Sequence, residues 1–169
     1  MINMIILHFH EPYGNQYCCC KKVIAMSNKT KMIKKSDVKH EWYVIDVKDK
    51  VLGRAATKIA GLLSGKYRVD YTPNVDSGAG VIVLNCDKIR ISGNKNEHKI
   101  YTSFSGYPGG LKSTAYKKML EKKPTYVLKH AVKGMLPKNR LGSLMLKRLK
   151  LYLGTEHTHT AQSPKEVKI

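Results

Sequence analysis

The run VIVLN, Val81 to Asn85, decides the architecture. Its apolar residues are consecutive rather than alternating, so no face is left for solvent, and a short strand of this kind is covered on both sides, as in a parallel sheet. On its N-terminal side, WYVIDV, Trp42 to Val47, is aromatic and β-branched enough for a second buried strand. Between the two, Leu52, Ala55, Ala56, Ile59, Ala60 and Leu63 recur at helical spacing, Arg54 and Lys58 fall off that stripe, and Gly65 stands where a helix would end. Tyr67 to Gly80 holds Pro73, Gly78 and Gly80 without periodicity and predicts a long loop. Strand, helix and strand in one sheet imply a right-handed crossover.

On its C-terminal side, Ser92 to Asn96 carries a turn signal, KIYTSF (Lys99 to Phe104) predicts a further strand, and GYPGG (Gly106 to Gly110) a tight loop. One helix is expected to begin near Thr114, and Pro124 suits the first turn of the next. In that second helix Val127, Leu128, Ala131, Val132, Met135 and Leu136 share one face, which leaves Lys129 and Lys133 together on another. LGSLMLKRL, Leu141 to Leu149, predicts a short helix. Leu149, Leu151 and Leu153 then alternate with Lys150 and Tyr152 before Gly154, the pattern of a last strand. No internal repeat is present. The elements add up to an α/β sandwich with a small, mainly parallel sheet and helices on its faces.

The chain has 169 residues, of which 42% are hydrophobic, enough for one domain with an ordinary core. Its net charge of +19 is unevenly spread: +5 over residues 1–40, +3 over 41–109 and +11 over 110–169. From Lys122 to Lys150 there are nine cations and no acid. Lys129 and Lys133, four apart on a helix, repel by a few tenths of a kcal/mol. A solvated face normally mixes both signs, so an acid-free stretch points to a polyanion whose phosphates these side chains neutralise.

Other function classes lack their signatures. No apolar run approaches the roughly 18 residues of a membrane span, and MINMIILHF has no basic stretch before its apolar residues, as a secretory signal would. Cys18, Cys19 and Cys20 are contiguous and Cys86 stands alone, which fits neither a zinc spacing nor a disulfide framework. Asp46 and the Leu52-Gly53-Arg54 turn sit where open α/β sheets hold ligands, yet there is no GxGxxG and no GxxxxGK[ST] to cradle a phosphate. Glu156, His157 and His159 lack HExxH spacing and a companion cluster. Ser103 and Ser105 lack the context of a nucleophile elbow, and His40, His98 and His130 form no constellation, His130 being read as a helix-surface residue. No cofactor is expected. GYPGG is a turn that could also let the backbone approach RNA, with Tyr107 as a stacking surface and Lys112 beside it.

Taken in order, WYVID, VLGRAATKIAGLLSGK, YTPNVDSGAGVIVLN, ISGNK, GYPGG, AVKGMLPKNRLG and LYLGTEHTHTAQSP resemble the ribosomal protein L-thirteen family of the large ribosomal subunit, in its bacterial or organellar form. The resemblance covers Glu41 to Ile169 and implies a three-layer α/β/α sandwich around a small, mainly parallel four-stranded sheet. It also implies a structural, non-enzymatic protein that binds large-subunit (23S-type) rRNA, contacts neighbouring ribosomal proteins and acts early in subunit assembly. The alternative is an extra-ribosomal RNA-binding translational regulator. The RNA-binding residues expected are Arg54, Lys58, Lys66, Arg68, Lys95, Tyr107, Gly109, Gly110, Lys112, Lys129, Lys133, Lys138, Arg140, Lys147, Arg148 and Lys150, with Met135, Leu136 and Pro137 directing Lys138 and Arg140 outward. Departures from the family pattern are Asn74, Ser77 and Ala79 where it usually reads YTPHVDTGD, and Ser103 and Phe104 where it commonly has an Arg-His pair.

Residues 1–40 lack periodicity and are rich in Lys, Ser and Asn from Met26 to Lys39, which predicts a disordered basic extension ahead of a single domain over 41–169. Residues 1–25 admit three readings: a start assigned too early, an organellar presequence, or a genuine extension. Transit peptides are Arg-rich and no arginine precedes Arg54, which favours the first and a cytoplasmic bacterial ribosome over a mitochondrial or plastid one.

Overall fold

The computed structural model describes residues 32–168. Most of the expected N-terminal extension, with Cys18 to Cys20, lies outside the described residues. These open with a 3₁₀ turn, Lys35–Asp37, and continue through β1 (Trp42–Asp46), α1 (Leu52–Ser64), β2 (Gly80–Leu84) and a one-turn α2 (Lys95–His98). After these come β3 (Ile100–Phe104), β4 (Leu111–Ala115), α3 (Tyr116–Lys122), α4 (Pro124–Met135), α5 (Arg140–Lys147), β5 (Leu149–Leu151), a 3₁₀ turn (Thr160–Gln162) and β6 (Lys165–Glu166).

Four strands form one parallel sheet in the order β5-β2-β1-β6, with Tyr43 opposite Val81 and Val81 opposite Leu149. Gly80 to Val83 are all buried, as a strand covered on both faces requires. Helices lie on both sides of the sheet, the α/β sandwich expected. Ile45, Val81 and Val83 join the buried stripe of α1 (Leu52, Ala55, Ala56, Ile59, Ala60 and Leu63) and Val127, Leu128 and Val132 of α4 in one core. Fully burying each large aliphatic side chain contributes roughly 1.5–3 kcal/mol. On the alternate face of β1, Trp42 stacks on His159 with ring centroids 5.8 Å apart, just before the second 3₁₀ turn. α1 ends at Gly65, whose φ of 77° lets its N–H bond back to the Gly61 and Leu62 carbonyls.

Two strand assignments differ from expectation. Ile100–Phe104 is not part of the main sheet: it pairs antiparallel with Leu111–Ala115, Tyr101 opposite Thr114, in a separate hairpin. Gly106 and Gly109, with φ of 93° and 72°, turn the GYPGG tip tightly enough to bring the chain straight back. Pairing with β3 therefore occupies Leu111–Ala115, and the helix expected near Thr114 begins at Tyr116. The fourth sheet strand is instead Lys165–Glu166, which pairs with Tyr43 and Val44, the Lys165 ammonium also reaching the Glu41 carboxylate at 3.1 Å. Lysine and glutamate are poor strand formers, so nothing in their pattern marks them. β5 is also shorter than predicted: beyond Leu151 the regular ladder stops, and the chain stays beside the end of β2 through single backbone bonds, the Tyr152 N–H donating to the Val83 carbonyl at 2.8 Å and the Gly154 carbonyl accepting from the Asn85 N–H at 3.1 Å.

Candidate nucleic-acid interface

α4 positions the basic surface. Its core-facing side chains force Tyr126, Lys129, His130 and Lys133 to the opposite side, where all four are exposed. The helix stops at Leu136, which is extended, because Pro137 disfavours a helical residue before it. Leu136 itself is buried and anchors the exit. Asn139 then starts α5, its side-chain oxygen accepting the Gly142 N–H at 2.7 Å. A Cβ on Gly142 would overlap the Pro137 carbonyl, so this turn closes tightly only with glycine there.

The turn brings Lys133, Lys138 and Arg140 to one cleft of about 750 Å³, which Tyr126 and His130 also line. Tyr126 and His130 lie side by side, centroids 5.6 Å apart, and buried Tyr101 of β3 meets both edge-on at 5.9 and 5.3 Å. That contact docks the hairpin on α4. Among the described residues only Arg148 and Lys165 approach a carboxylate within 4.0 Å, so the cations of this cleft are unneutralised there.

The other expected residues are dispersed. Arg54 and Lys58 are exposed on α1, the Lys58 Nζ donating to the Lys168 carbonyl at 3.4 Å. Lys66 lines a second groove that shares Leu136 and Pro137 with the cleft, with Tyr71, Met135, Leu141 and Met145. Arg68 is partly buried and donates to the Lys39 and Ser77 carbonyls, both at 2.9 Å. Lys95 opens α2 and lies near Lys99 just after it, Lys112 is exposed on β4, and Tyr107, 75% exposed, stands at the hairpin tip with Gly109 and Gly110. Lys129 and Lys147 are exposed outside the cleft, and Lys150 is half-buried in β5.

Arg148 is placed differently from expectation. Its guanidinium forks onto the Asp76 carboxylate at 2.6 and 2.5 Å, with side-chain exposures of only 16% and 11%, and Nη2 also reaches the Leu63 carbonyl. It ties the loop before β2 to the end of α5 instead of facing solvent. Gly78 is essential to that approach, since a Cβ there would overlap the Leu63 carbonyl.

The residues weighed for other chemistry have structural roles. His159 packs between Trp42 and Tyr152, and among the described residues no three His, Cys, Asp or Glu side chains are close enough to hold a metal. Burial pushes the Cys86 thiol up to about 12, which leaves it protonated and unreactive at neutral pH. No helix of the described residues is long and apolar enough to cross a membrane. Tyr126 and His130 are the cleft residues that reading the sequence left out. Their signal was available as the i, i+4, i+7 spacing of Tyr126, His130 and Lys133 opposite the apolar stripe.

Comparison with known proteins agrees with this picture. A family model described as Ribosomal protein L13 matches residues 40–158. The protein from Thermoanaerobacter pseudethanolicus called large ribosomal subunit protein uL13 is 56% identical over 141 residues, covering 83% of this chain and 99% of the relative. Its namesake in Caldanaerobacter subterraneus is 55% identical over the same shares, and that of Syntrophotalea carbinolica 52% identical over 140 residues, 83% of this chain and 99% of its own. The family consists of structural ribosomal proteins and not of enzymes. On the ordered motifs, the parallel-sheet sandwich and a family match across most of its length, the chain belongs to the ribosomal protein L13 family.

Proposed function

We propose that the chain is a structural constituent of the large subunit of a bacterial, cytoplasmic ribosome, binding 23S-type rRNA during early assembly and contacting neighbouring large-subunit proteins. The observation that carries this reading is the convergence of Lys133, Lys138 and Arg140 on one cleft with no carboxylate among the described residues to neutralise them. Bacterial relatives named as large-subunit proteins and aligned over nearly their whole length support the assembly context. The side chains act by replacing condensed counterions on the RNA backbone, so affinity falls as salt rises.

Replacing Lys133, Lys138 and Arg140 together by glutamine tests it. Each phosphate contact contributes about 0.7–0.9 to the slope of log affinity against log salt, so the triple variant flattens that slope by about 2–3. Between 50 and 200 mM salt the parent then loses about 20–40-fold more affinity than the variant does. The fold is expected to survive, because exposed charges contribute little to stability. An unchanged slope for the triple variant, with full incorporation into assembling subunits, removes this cleft from the RNA interface. Stoichiometric recovery with the large subunit on sedimentation separates this function from that of a free regulator.

A further inference from the structure

Phosphate binding explains the three cations of the cleft but not its rings. A surface that only neutralises a duplex backbone gains nothing from an aromatic pair held at a set angle. Here Tyr126 and His130 stand 5.6 Å apart with planes 33° from each other, and Tyr101, 7% exposed, buttresses both edge-on. The buttress holds the rings in place before any ligand arrives, which reduces the ordering cost of binding. The same cleft, about 750 Å³, is of a size that receives a single small ligand.

Resting on the rRNA-binding reading, we infer that this cleft takes one unstacked nucleobase from a single-stranded position of the rRNA, which stacks on the Tyr126–His130 pair while the flanking phosphates meet Lys133, Lys138 and Arg140. The chemistry favours this occupant. Sequence-specific recognition of RNA is concentrated in loops and bulges, whose splayed bases stack on Tyr and His, because the major groove of an A-form helix is too narrow for side chains to read. Arg140 lines the same cleft as the rings, and no carboxylate among the described residues lies within 4.0 Å of the three cations to repel a nucleotide. The cleft thereby carries specificity where the rest of the basic surface carries affinity.

The test uses the full chain with transcribed 23S-type rRNA. Ultraviolet crosslinking followed by mass spectrometry is expected to give a nucleotide adduct on Tyr126 or His130. Tyr126→Leu is expected to weaken binding about 5- to 150-fold, the loss carried by one base stack, with the salt slope unchanged. Tyr126→Phe, which keeps the ring, stays within about twofold of the parent. Because Tyr126 and His130 both meet Tyr101, thermal unfolding of each leucine variant is measured beside its affinity to separate lost stacking from lost folding, and crosslinking of the unaltered chain needs no substitution at all. Equal weakening by leucine and phenylalanine, parental affinity for Tyr126→Leu, or a crosslink from this cleft to a neighbouring protein overturns the inference. If the triple glutamine variant flattens the salt slope while Tyr126→Leu binds as the parent, the rRNA reading stands and the base site falls. If neither changes anything, this cleft lies outside the RNA interface and the base site falls with it.

Discussion

Arg148→Gln separates a cation that holds the fold from one that holds RNA. The fork between Arg148 and Asp76 is 16% and 11% exposed, so removing the guanidinium strands a carboxylate in a largely dry site and frees the Leu63 carbonyl. Breaking a fully buried pair costs about 3–5 kcal/mol, and the residual exposure here lowers that to about 2–4 kcal/mol. For a domain of this size 1 kcal/mol moves Tm by about 3–4 °C, so Arg148→Gln is expected to lower Tm by about 6–16 °C. Arg140→Gln, at an exposed position of similar chemistry, is expected to change stability by less than about 0.5 kcal/mol. The assay is thermal unfolding of the free protein at neutral pH, followed by rRNA affinity at several salt concentrations well below the midpoint. Asp76→Asn completes a double-mutant cycle, in which the paired loss is smaller than the sum of the single losses because the stranded charge is gone. An Arg148→Gln variant with parental Tm and a flatter salt slope would refute the clamp and return Arg148 to the RNA interface.

Two glycines with opposite surroundings make a matched pair: Gly78→Ala drives a Cβ into the Leu63 carbonyl and is expected to cost more than about 2 kcal/mol, whereas Gly134→Ala, exposed in α4 with nothing within 4 Å, is expected to stabilise by about 0.5–1 kcal/mol in chemical denaturation. Cys86, buried and with its thiol pushed up to about 12, is expected to resist alkylation at pH 8 until denaturant unfolds the domain, read by mass spectrometry of its own peptide. Asp46 accepts from Asn85 Nδ2 at 2.8 Å and the Lys48 N–H at 2.9 Å, which holds its carboxyl below the usual carboxylate range. A depressed folded value means that its stabilisation is complete above the unfolded value near about 4 and is lost as pH falls through the folded one. The Tm gap between parent and Asp46→Asn is therefore expected to narrow between pH 7 and pH 3.

Features that depend on local periodicity and composition could be read directly from the residues. β1 and β2, α1 with its Gly65 stop, α4 opened by Pro124 and the acid-free basic stretch were all legible, because burial on both faces, helical spacing and charge imbalance are written in consecutive residues. Partnership between distant segments was not legible. KIYTSF has the composition of a strand whichever sheet it joins, and only the return of the chain at GYPGG assigns it to the hairpin. Lys165–Glu166 becomes a strand because the edge of β1 offers it backbone partners 122 residues away in the chain. The site divides in the same way. Cations could be counted from the sequence, but which of them are free depends on where carboxylates end up: Asp76, 72 residues away from Arg148, takes that guanidinium out of solvent. The turn at Leu136 and Pro137 places Lys133, Lys138 and Arg140 around Tyr126 and His130. Residue type decides which charges and rings a chain can offer; tertiary packing decides which of them meet, because desolvation and ion pairing act over a few ångströms of space and are indifferent to separation along the chain.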